Sequence, residues 1–243
     1  MISYKEQAHI ELQFWQLKML KKPSLTDRLS KRIQNRINGI IPEKVHHAIT
    51  LTMEKMVKGV LYGAKFTTGK PAEGGELSYR ESLVKQQISF YQKTAGVEGA
   101  VTGAGGILMG IADFPILIGI KIKLLFEIAL LYGYDVNDYK ERLFILYIFQ
   151  LAFSSQESRN IVYMRLANWK EYSHSLTDEA DEFDWRSFQQ EYRDYIDIAK
   201  MAQLVPVIGA AVGAIANYKL VQQLGSTAMN CYRMRETPLL LSI

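Results

Sequence analysis

Small residues recur at helical spacing through the most apolar stretch of the chain, Ala95 to Gly133 (AGVEGAVTGAGGILMGIADFPILIGIKIKLLFEIALLYG). Ala95, Gly99 and Gly103 lie four apart, as do Gly106 and Gly110. On a helix, residues four apart share a face. A face of glycines lets a second backbone approach closely. Each glycine costs a helix roughly 0.5–1 kcal/mol relative to alanine, so close packing has to offset the loss. A second stretch, VPVIGAAVGAIANYKL, repeats the pattern at Gly209 and Gly213. The two small faces are expected to meet, with Asn217 hydrogen-bonding inside the interface. The chain is therefore read as all-α: a single helical domain with two glycine-rich small-residue helices packed in its core.

Two acids interrupt the apolar run. Asp113 precedes Phe114-Pro115, and proline favours the first turn of a helix. Asp113 therefore reads first as the N-cap of a helix from about Phe114 to Tyr132, with Gly133 as its C-cap. Glu98 lies beside the small-residue face and has two readings, a buried structural hydrogen bond or a functional carboxylate. Glu98 and Asp113 are the candidate functional carboxylates. The uninterrupted apolar segment, Ile107 to Ile120, is shorter than the ~20 residues a membrane span needs, and Lys121, Lys123 and Glu127 follow it. A core helix, or a segment that only touches a bilayer, is expected.

The 243 residues suffice for a sizeable core, and 48 % of them are hydrophobic. The single cysteine, Cys231, excludes an intrachain disulfide and a cysteine-based metal site. It reads as a buried small residue. No apolar h-region follows a basic start at the N-terminus, so no secretory signal is expected.

Ile2 to Leu20 has amphipathic periodicity through Ala8, Leu12, Trp15 and Met19, and Ile10, Phe14 and Leu17 widen the apolar face. Ser24 and Asp27 suggest a capping box ahead of a second helix. That helix carries Arg28, Lys31, Arg32 and Arg36 opposite its apolar side, which marks them as candidates for contact with an anionic membrane surface. A third helix runs from Pro42-Glu43 to about Phe66 along Ile49, Met53, Met56, Val57 and Val60. His46 and His47 in it read as surface residues. The stretch Thr67 to Leu77 is a loop. Its Gly69-Lys70 fails as a phosphate-binding loop, because Pro71 stands where Ser or Thr is required. Ser78 and Glu81 match the S-x-x-E pattern of a helix start. Tyr139 to Phe153 reads as a core helix, Glu157 to Tyr172 as a more polar one, and Thr177 to Asp184 as an acidic loop. Trp185 to Gln203 is amphipathic, and Leu220 to Arg233 is helical. The domain division read from this pattern is 1–41 for the basic N-terminal helices, 42–236 for the helical body and 237–243 for an apolar tail.

Three segments taken together resemble the EcsC family of bacterial proteins: EGAVTGAGG followed by ADFP, then EIALLYGYD, then LVPVIGAAVGAIANY. The resemblance implies a helical, non-secreted protein associated with a two-component ABC exporter linked to protein secretion. It carries no established reaction, so it implies no catalytic residues. The motifs G-x-S-x-G, H-E-x-x-H and G-x-G-x-x-G are absent from the sequence. No cofactor, metal or nucleic acid is expected. The leading expectation is a non-catalytic accessory protein at the cytoplasmic membrane face, meeting anionic lipid and the transporter subunits. The alternatives are an enzyme using Glu98 or Asp113, and a lipid or small-molecule carrier with a cavity beside Glu98.

Overall fold

The computed structural model describes residues 2–21, 43–61, 69–104, 114–154, 156–176 and 209–236. Within them the chain is all-α, with no strand. The helices are α1 (Tyr4–Leu20), α2 (Glu43–Leu61), α3 (Leu77–Ala104), α4 (Phe114–Leu131), α5 (Tyr139–Phe153), α6 (Gln156–Ala167), α7 (Trp169–Ser175) and α8 (Gly209–Glu236).

The core is built around α5. Every residue from Leu143 to Phe153 is buried, so this helix has no solvent face. That is the outcome expected of RLFILYIFQLAF, which is apolar on all sides. Asp138 caps it, accepting from the Lys140 amide at 2.9 Å. Met53, Met56, Val57 and Val60 of α2 are buried in the same core, as their spacing predicts.

The most extensive packing in the fold joins α3 and α8, the helices that carry the two small-residue stretches. They run antiparallel. Glu81 meets Arg233 near one end, Ile88 meets Gly225 further along, and Gly96 lies against Ala214. A methyl group built on Gly96 would sit 3.8 Å from the Ala214 carbonyl. The tightest contact is at Gly225, where an added Cβ would fall 2.5 Å from Cγ1 of Ile88.

Helix α4 ends as the sequence predicts. Gly133 has φ +87°, its amide donates to the Leu130 carbonyl, and the Tyr134 amide donates to Ala129. This pair of bonds is a Schellman motif. The Ala72 amide joins the same turn through Leu130, and the Ala72 carbonyl lies 3.1 Å from where a Cβ on Gly133 would be. Gly133→Ala is therefore expected to cost about 1–2 kcal/mol, because a side chain is forced into the left-handed region. Urea unfolding measures it.

Three expectations need correction. The S-x-x-E pattern at Ser78 and Glu81 does not close a capping box. The helix begins at Leu77, Ser78 Oγ donates to Glu76, and Glu81 turns into the interior. The single helix expected over Glu157–Tyr172 is broken at Asn168 into α6 and α7. On α1 only part of the predicted apolar face is used. Ala8, Leu12 and Met19 are buried, whereas Ile10, Phe14 and Leu17 are exposed, because an apolar arc wider than one neighbour can cover leaves its flank in solvent. A capping box at Ser3 and Glu6 starts α1.

Candidate functional site

The most polar interior among the described residues lies where the N-terminus of α3 meets the C-terminus of α8. Glu81, one turn into α3, is fully buried. Arg233 grips its carboxylate with a two-pronged bond, Nε donating to Oε1 at 2.6 Å and Nη2 to Oε2. The Tyr4 hydroxyl donates to Oε2 at 2.6 Å and the Tyr132 hydroxyl to Oε1 at 3.0 Å. Arg233 also reaches Glu11 on α1 through Nη1, at 3.1 Å. Burial pushes the Glu81 carboxyl up, but the bonds from Arg233 and Tyr4 outweigh it and hold it below the usual carboxylate range.

On α5, the buried Glu141 accepts from the Tyr232 hydroxyl at 2.7 Å and from Arg235 Nη1 at 2.5 Å. Here burial wins, and the carboxyl lies above its usual range despite Arg235. The Arg235 guanidinium is stacked over Tyr134 at 3.7 Å and faces Phe144 at 4.5 Å. Tyr132 and Tyr232 stack at 5.1 Å and join the two clusters. Arg80 closes the rim with Glu236 and the Tyr132 carbonyl.

A carboxylate that accepts four donors and has no exposed surface has no lone pair left for a substrate. The Glu81 cluster therefore ties α1, α3, α4 and α8 together at what we call the ionic pole. Two hollows open on this pole. One, of about 570 Å³, is lined by Tyr134, Lys140, Glu141, Trp169, Lys170 and Arg235. The other, of about 690 Å³, lies between α1 and α8 and is mainly apolar, with Ile2, Ile10, Leu12 and Leu77 beside Arg233. Glu98 lines neither of them.

The opposite pole is formed by the C-terminal end of α3 and the N-terminal ends of α4 and α8. It collects exposed apolar side chains: Val97 at 65 % exposure, Ile116 at 51 %, Ile215 at 55 % and Tyr218 at 42 %. No helix of the described residues is long and apolar enough to cross a membrane.

The residues singled out from sequence are distributed unevenly over this frame. Glu98 sits on α3 near the apolar pole, half-buried and already engaged by a neighbour. Gly99 is buried on α3, Gly103 lies on α3, and Gly209 and Gly213 lie on α8. Asn217 is buried between the helices at 3 % exposure, and its Nδ2 finds no hydrogen-bond partner. Asp113, Arg28, Lys31, Arg32 and Arg36 lie outside the described residues. Cys231 is fully buried, and burial raises its thiol well above the usual range, as befits a packing residue. Among the described residues, no group of three His, Cys, Asp or Glu is arranged to hold a metal. Sequence reasoning missed Glu81, Arg233, Glu141 and Arg235. Their one signal was two arginines inside the apolar run MNCYRMRE, and their partners lie far away in the chain.

The sequence profile of the EcsC protein family matches residues 6–236. The chain belongs to the EcsC family. Protein EcsC of Bacillus subtilis (strain 168) is 47 % identical over 222 residues, covering 91 % of each chain. The uncharacterized protein YdbA of the same organism is 29 % identical over 233 residues, covering 91 % of this chain and 85 % of its own. No solved structure matches. The four residues of the apolar pole and, apart from Tyr4, the side chains of the Glu81 and Glu141 clusters fall within the span that the EcsC family profile covers.

Proposed function

We propose that this EcsC-family protein is a non-catalytic accessory protein that works peripherally at the cytoplasmic face of the cell membrane, in association with an ABC exporter. The observation that carries this reading is the apolar pole. Four large apolar side chains from three helix ends are exposed together, which is costly in water and favourable at a lipid interface. The saturated Glu81 carboxylate of the ionic pole supports a bracing role there rather than chemistry. The basic residues Arg28, Lys31, Arg32 and Arg36 are proposed as a further contact with anionic lipid, each contributing about 1 kcal/mol at most.

Vesicle co-sedimentation of the full chain tests the membrane reading. Binding is expected, and R28Q/K31Q/R32Q/R36Q should make it weaker and less salt-sensitive. A chain that stays in the supernatant with every vesicle at low salt would contradict it. The exporter association is tested separately, by recovery of the transporter's membrane subunit with the tagged protein from detergent extracts. Absence of that subunit would remove the association while leaving the membrane reading in place.

A further inference from the structure

Resting on the membrane reading above, we infer that the apolar pole seats in one leaflet of an anionic bilayer, with Lys93, Lys123 and Lys219 forming a collar on the lipid phosphates. The helix register carries this placement. Glu81–Arg233, Ile88–Gly225 and Gly96–Ala214 step together along α3 and α8, so Lys93 is level with Lys219, and Val97 with Ile215. Between α3 and α4, Tyr91 donates to Glu127 at 2.8 Å, which brings Lys123 to the level of Lys93. All three lysines are exposed. They come from three helices and stand at about one height along the bundle.

Beyond the collar, away from the ionic pole, the helices are almost without charge. The described residues there include one carboxylate, Glu98, and one further lysine, Lys121, which is buried. At 1.5 Å per residue, Val97 and Ile215 stand about 6 Å beyond the collar and Ala104 and Gly209 about 15 Å beyond it. The headgroup region is roughly 5–8 Å thick on each side of the hydrocarbon. With the lysines at the phosphates, Tyr218 lies among the headgroups, where tyrosine is enriched. Val97, Ile215 and Glu98 reach the hydrocarbon boundary. Among the described residues, the last two turns of α3, the first turn of α4 and the first two turns of α8 go deeper, by up to about 10 Å, the depth of an interfacial helix. Seating at this depth leaves Glu98 in reach of water and requires no spanning helix.

The test uses vesicles of phosphatidylcholine alone and of phosphatidylcholine with phosphatidylglycerol. The variant K93Q/K123Q/K219Q should keep its circular dichroism spectrum and melting curve, since all three side chains are exposed. It should bind the anionic vesicles about 100-fold more weakly than the parent. An environment-sensitive fluorophore on Ile215→Cys should shift to the blue and be quenched by brominated lipid. The same fluorophore on Tyr79→Cys, at the ionic pole, should do neither; Cys231 is buried and does not compete for label. Equal binding to both vesicles, or an unchanged affinity in the triple variant, would overturn the collar. A silent label at position 215 in sedimented protein would overturn the pole as the contact. No binding by the parent would instead sink the membrane reading itself.

Discussion

Arg233→Met is expected to remove about 3–5 kcal/mol of folding stability, the largest single-residue effect in the molecule. The substitution keeps much of the side-chain volume but strips two of the four donors from Glu81, whose carboxylate has no solvent to turn to. Replacing both partners, Glu81→Met with Arg233→Met, should recover a large part of the loss, because no unpaired charge then remains. The pH dependence separates this account from simple loss of packing. In the parent, the Glu81 carboxyl is held below the usual range. Its contribution is therefore complete above the unfolded-state pKa and is lost as pH falls through the lower folded value. In Arg233→Met burial dominates, and the carboxyl rises instead. That variant should gain stability more steeply than the parent as pH falls from neutrality toward 5, since the parent's Glu81 is still unaffected there and the raised Glu141 carboxyl contributes to both proteins alike. Urea unfolding across that range measures both slopes. Parallel slopes would show that Arg233 acts by packing alone.

Gly225→Leu is expected to cost about 3 kcal/mol, at the upper end for overpacking a well-filled interface. Even the first added carbon would fall within 2.5–3.1 Å of three atoms of Ile88. Ile88 is β-branched, so rotation about χ1 moves one branch away only by bringing another in. Gly225→Ala shares the clash but gains helix propensity of roughly 0.5–1 kcal/mol, so its net loss should be smaller, about 1–2 kcal/mol. Ile88→Ala removes the obstacle. In the Ile88→Ala background, Gly225→Ala should be neutral or stabilising, a sign change that a double-mutant cycle resolves. If the alanine costs the same in both backgrounds, the α3–α8 contact is not set at this pair.

The elements were legible where one local signal fixed them. Tyr139–Phe153 announced itself by an apolar run too long for a strand, and Gly133 by its place after the last apolar residue of α4. That α3 and α8 pack against each other could be anticipated from small residues every fourth position; their antiparallel direction could not. The position of tightest contact could not. Gly225 sits in the unremarkable run VQQLGSTAM, and its importance comes from Ile88, far away in sequence. The ionic pole was illegible for the same reason. Glu81 three residues after Ser78 has the local signature of a cap, and a distant arginine overrides it by supplying a stronger, desolvated partner. The Lys93–Lys123–Lys219 level was hidden as well, since three isolated lysines share a height only once the helix register is known. On α1, periodicity identified the apolar residues but could not say that Ile10, Phe14 and Leu17 stay outside the packed arc.

Hydrogen–deuterium exchange of the full chain, with and without phosphatidylglycerol-containing vesicles, tests the two-pole account most directly. The account predicts slower exchange on vesicle binding in residues 94–104, 114–123 and 209–219, and no change in 77–85 or 228–236. Protection confined to the ionic pole, or to α1, would contradict it.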